Sequence, residues 1–118
     1  MQYMLLIHTD DTPFRNATEE QRTQMSAPYA AYNEALIKAG AMVSGERLRS
    51  PTTAATVKVR NEKTEVLDGP FADTKEQLAG FYIVEADDMD AAIKWAARCP
   101  GAAHGTIEVR PVWPMQAA

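Results

Sequence analysis

An α+β fold, one antiparallel sheet with two helices on a single face, is what the order of elements in this 118-residue chain predicts. Three observations carry it. Periodicities of strand and helix type run as strand, helix, strand and then again as strand, helix, strand. Between the two halves lie short matched strands, TVKVR and KTEVL, which read as an inserted β-hairpin. The first strand, YMLLI at 3–7, and the fifth, GFYIV at 80–84, are apolar on both parities, the pattern of a strand covered on both faces.

Each element has a local cause. After the first strand comes a loop with Asp10, Asp11 and Pro13, and TEEQ at 18–21 then reads as a capping box, with Thr18 as cap and Gln21 three positions on. Met25, Tyr29, Tyr32 and Leu36 recur at spacings of three and four, a helical stripe. Pro28 interrupts it, which predicts a kink or a fresh start capped by Ser26. Gly40 stops the helix, and AMVSG supplies the second strand. In the hairpin, Val57 and Val59 share one face and Lys58 and Arg60 the other, with Asn61 and Glu62 at the turn. Asp87 or Asp88 caps the second helix, whose stripe is Met89, Ala92, Ile93 and Ala96; Pro100 and Gly101 end it, and TIEVRPVW closes the chain's last strand.

Two such halves form the ferredoxin-like arrangement, here a single domain over residues 1–118. Helices on one face leave the other bare, with Met4, Leu6 and Tyr82 expected there, and His8 on the parity of Met4 and Leu6. A second copy of the chain is the expected cover, so a homodimer is predicted.

Composition narrows the function classes. With 46% hydrophobic and 24% charged residues, the chain can enclose one modest core. It has no apolar run near the roughly 18 residues of a membrane span and no basic-then-apolar start, so a cytoplasmic protein without membrane contact is expected. A formal charge of −4, without a lysine and arginine cluster, argues against nucleic acid. Cys99 has no internal disulfide partner and reads as a small hydrophobe at a helix end. No HxxH or HExxH spacing and no glycine-rich phosphate cradle is present, so no metal or cofactor is expected.

Candidate site residues are His104, Asp68 and His8. The histidines are chosen because imidazole transfers protons near neutrality; His8 ends the first strand and His104 precedes the last. Asp68 opens the turn Asp68-Gly69-Pro70-Phe71, for which two readings stand. In one the turn is structural: Gly69 takes a positive φ, Asp68 accepts backbone N–H bonds and Phe71 pins the loop to the core. In the other its rigidity aims Asp68 into a pocket, with His104 as partner. Lys75 and Glu76 read as a solvated pair.

YMLLI at 3–7, the Gly45-Glu46 turn, DGPFADTKEQLAGFY at 68–82, WAARCP at 95–100 and HGTIEVRPVW at 104–113 resemble the DGPF group of YCII-related proteins. The resemblance runs from Tyr3 to Trp113 and implies a dimeric α+β barrel, two ferredoxin-like subunits stacked sheet to sheet with a pocket between them. The YCII branch is proposed to use a histidine in the first helix and an aspartate near the end of the second; the matching places here hold Tyr29 and Cys99, so both named groups are lost. Members of the DGPF group are sometimes associated with extracytoplasmic-function sigma factors. Two function classes follow: a small-molecule binder or enzyme using acid–base chemistry in a cleft at the dimer barrel, or an accessory protein that engages a regulatory partner.

Overall fold

The computed structural model of the protein describes residues 1–115. Its elements are β1 (Gln2–Thr9), α1 (Thr12–Arg15), α2 (Glu19–Ser26), α3 (Pro28–Lys38), β2 (Met42–Arg47), β3 (Ala55–Arg60), β4 (Lys63–Asp68), β5 (Gln77–Glu85), α4 (Met89–Arg98) and β6 (Thr106–Pro111), with 3-10 turns at Pro51–Thr53 and Pro100–Ala103. β2, β5, β1 and β6 lie in that order in one antiparallel sheet, and β3 pairs only with β4. This is the ferredoxin-like order with a hairpin inserted between the halves.

Local chemistry sets the boundaries. Thr18 caps α2 by accepting from the Gln21 N–H, while the Gln21 side chain accepts from the Thr18 N–H. Pro28 does begin a fresh helix, at a first position where its missing N–H is not needed. The residue before it is Ala27 in helical geometry, so Ser26 is not the cap; its hydroxyl instead accepts from Arg47 at 3.2 Å. Pro13 sits inside the short helix α1, where the sequence predicted loop. At α4 the choice between two aspartates falls on Asp88, which accepts from the Ala91 N–H.

One core lies between the helices and the inner sheet face. Tyr3, Leu5 and Ile7 of β1 and Tyr82 and Val84 of β5 pack with Tyr32 and Leu36 of α3 and Ala92 and Ala96 of α4. The predicted stripes shift slightly: Met25 and Ile93 are 45% and 48% exposed, and the buried edge of α4 runs on to Cys99. Tyr82 belongs to this core, correcting its expected place on the bare face. It lies opposite Leu5 in the β1–β5 ladder, and its ring meets Tyr32 edge-on at 5.3 Å. The other parity pairs Met4 with Ile83 and Leu6 with Phe81, and these four half-buried side chains form the apolar part of the uncovered face.

The hairpin stands apart. Asn61 and Glu62 have φ of 52° and 65°, as a tight two-residue turn between twisted strands requires. At its base Gly69 holds φ of 107°, a conformation that side chains resist. The Gly69 N–H donates to the Ala54 carbonyl at 2.7 Å, and its carbonyl accepts from the Thr56 hydroxyl at 2.8 Å. Phe71 is 82% exposed, so it does not pin the loop to this chain's core as expected.

Candidate functional site

The uncovered sheet face carries its chemistry at one end. β1 reaches His8 just past an irregularity in pairing: Ile7 faces Gly80 but His8 faces Leu78, leaving Ala79 as an extra residue on β5. Bulges of this kind re-aim side chains. On the other side His8 faces Thr106 of β6, and two residues further along that face stands Glu108. The Glu108 carboxylate sits between two cations or potential cations, with one oxygen 3.8 Å from His8 Nε2 and the other 3.7 Å from Arg110 Nε. Thr106 donates its hydroxyl to Glu76 at 2.8 Å, which ties the loop before β5 to the same end of the sheet.

His8 Nε2 is the unusual atom. It is shielded from solvent and has no hydrogen-bond partner among the described residues. Shielded polar atoms are nearly always bonded, so an orphan beside a carboxylate marks a place where another group belongs. The neighbouring Leu6 and Phe81 offer an apolar floor.

His104 ends the 3-10 turn after α4; it is exposed, and its backbone N–H donates to the Gly101 carbonyl at 3.3 Å. Asp68 is the exposed last residue of β4, opposite Ala55, and its carboxylate has no hydrogen bond to a described residue. Within one chain no hydrogen bond or ion pair joins Asp68 to His104 among the described residues. Of the three predicted residues only His8 lies in a polar cluster. Glu108 was missed, although a signal existed: Thr106, Glu108 and Arg110 share one parity of the last strand, placing charge on a face that β1 and β5 make apolar.

Tyr29 and Cys99 do meet, inside the core. Cys99 is 2% exposed, and burial pushes its thiol pKa up, opposed by the Gly101 amide and the Tyr29 hydroxyl. Burial, with Cys99 next, likewise raises Tyr29 and Tyr32 and pushes Tyr82 up to about 12. Gly101 is required here, because a Cβ on it would come within 2.9 Å of both Ile7 Cγ2 and the Tyr29 hydroxyl. The pair is a buried contact at the edge of the core. Above the ordinary thiol value of 9.0 the unfolded chain gives up a proton that the folded chain keeps, so folding stability is predicted to be full below pH 9 and to fall above it. Melting temperatures between pH 8 and 11 check this, and a rise across that range would contradict it.

A shallow cleft of about 430 Å³ lies elsewhere, around Phe14, Arg22, Ser26 and Arg47. Arg22 and Arg47 stack on the Phe14 ring at 5.3 and 4.4 Å, and Arg22 donates to the carbonyls of Phe14 and Arg15. These bonds fasten α1 to α2 and β2, which accounts for the cluster structurally.

The sequence matches the YCII-related domain over residues 1–116. The chain belongs to the YCII-related family. A relative at 33% identity over 114 residues, covering 95% of this chain and 92% of its own, is an uncharacterized protein, R00369, of Rhizobium meliloti (strain 1021). Among solved structures, 5-chloro-2-hydroxyhydroquinone dehydrochlorinase from Burkholderia phenoliruptrix AC1100, in complex with 2,5-dihydroxybenzoquinone, superposes with a TM-score of 0.55 at 17% identity, over 98% of this chain and 96% of that one. That likeness is one of fold, and it agrees with the α+β architecture of this YCII-related chain.

Proposed function

We propose that this YCII-related protein binds a small molecule on the uncovered sheet face, between two copies of the chain, and acts on it by acid–base chemistry through His8. The orphaned Nε2 of His8 beside Glu108 carries the reading. In this arrangement Nε2 accepts a proton from, or returns one to, a ligand hydroxyl or an acidic C–H, and Glu108 stabilises the imidazolium formed. Arg110 lies against the other carboxylate oxygen and helps to orient Glu108 toward the imidazole. At 3.8 Å the His8–Glu108 contact is loose, as catalytic contacts often are before a ligand binds. Leu6 and Phe81 suit a ligand with a flat apolar body and a polar edge. A quinone-bound dehydrochlorinase on a similar fold supports this ligand class.

Two histidines make the test direct. Ring resonances of His8 and His104, assigned with His104→Gln, are followed by NMR during titration with 2,5-dihydroxybenzoquinone and a panel of phenols and aromatic acids. A saturable shift of His8 that weakens in Glu108→Gln is expected. A response confined to His104 would move the site to the loop after α4, and a His8 silent to every probe would sink the acid–base reading.

A further inference from the structure

The hairpin of β3 and β4 is the least covered part of the protein. Val57 faces Val66 across its ladder, and Val59 lies on the same side. These valines are 58–59% exposed, and Phe71, just past the end of β4, is 82% exposed; Leu67, 62% exposed, faces Thr56 on the other side of the ladder. On the opposite side Lys58 faces Glu65 and Arg60 faces Lys63, side chains suited to water, yet Lys58 is more sheltered than either neighbouring valine. A lone two-stranded hairpin is marginally stable at best, and its apolar side is what another surface would have to cover.

The whole chain shows the same deficit. Its accessible surface is 8650 Å², whereas a compact chain of 13.0 kDa exposes roughly 6,300 Å². Its radius of gyration is 16.3 Å, against roughly 13.5 Å for a compact domain of this length. The excess of roughly 2,300 Å² per chain is well beyond the roughly 800 Å² per partner of a standard interface and reaches obligate dimers. A surface of that scale needs a partner present whenever the chain folds, and a second copy of the chain meets that condition.

We propose that the β3–β4 hairpin is an exchanged arm: the valine side and Phe71 of each protomer lie against the body of a second copy, and each arm clasps the other protomer. A two-fold axis makes every such contact occur twice, so one apolar hairpin per chain yields a large closed interface. The arm's role is separate from the chemistry at His8.

The test compares wild type with a Val57→Arg, Val66→Arg double variant. Light scattering at micromolar concentration should give twice the 13.0 kDa chain mass for wild type. The arginine variant should weaken the dimer about 100-fold or more, as losing a buried anchor does, while amide protection in β1 and β5 is retained. A Val57→Thr, Val66→Thr pair, closer in shape, should weaken it roughly tenfold and decides the matter if the arginines unfold the body. A monomeric wild type, or a folded variant that dimerises with unchanged affinity, would overturn the arm. Neither readout involves a ligand: a monomeric wild type would count against both the arm and a site between two copies, whereas a dimer that keeps its affinity in the valine variants would overturn the arm alone and leave the His8 titration to stand by itself.

Discussion

A His8→Asn variant should lose about 10²- to 10⁴-fold in turnover of whatever substrate the open sheet face accepts, the span that one positioned acid–base group contributes. Its fold should survive, because His8 Nε2 makes no hydrogen bond to a described residue and the ring is outside the core. Removing an unsatisfied shielded nitrogen is itself close to neutral or mildly stabilising. The decisive measurement is therefore a pair: turnover, and melting temperature on the same preparation. Loss of both together would mean that His8 supports the sheet rather than a reaction. Glu108→Gln should cost less than His8→Asn, since it removes a stabilising charge and leaves the proton carrier in place.

Leu5→Ala should destabilise the protein by about 2–5 kcal/mol, the range for emptying a fully buried leucine site. Leu5 is 0% exposed, on a strand paired on both sides, and packs in the cluster that joins the sheet to α3 and α4. The cavity cannot collapse easily because ladders flank it on either side. Against a total stability of about 5–15 kcal/mol, such a loss lowers the denaturant midpoint severely. Leu6→Ala, one residue on and facing the other way, should cost distinctly less in the single chain. Urea midpoints of the two variants check the contrast, and equal losses would mean that a second copy packs the uncovered face as tightly as the core.

That contrast shows how much was legible in the sequence. The apolar run Tyr3 to Ile7 announced a strand of the sheet with one parity in the core, the Thr18–Gln21 pair announced the start of α2, and the order of strands and helices announced the sheet. Such signals are local: a cap, a turn at Asn61-Glu62 or a period of two depends on neighbours within a few residues. Which parity faces the helices is not local, and the placement of Tyr82 went wrong for that reason. Both parities of β5 are apolar, and only its register, Tyr82 opposite Leu5, assigns the ring to Tyr32.

The candidate site divides the same way. His8 stood out by chemical type, as any histidine on an apolar parity does. Glu108 lies a hundred residues away in the chain, and only the β1–β6 ladder brings its carboxylate to the imidazole. Tyr29 and Cys99 were named together by resemblance, and folding decided that they are a buried contact with raised pKa values. The sequence alone determined the strands, the longer helices, their order and the family-like motifs, because these are written in short-range pattern. Tertiary structure alone decided the faces, the His8–Glu108 encounter and the bare hairpin, because each depends on which distant segments pair and on what area they leave uncovered.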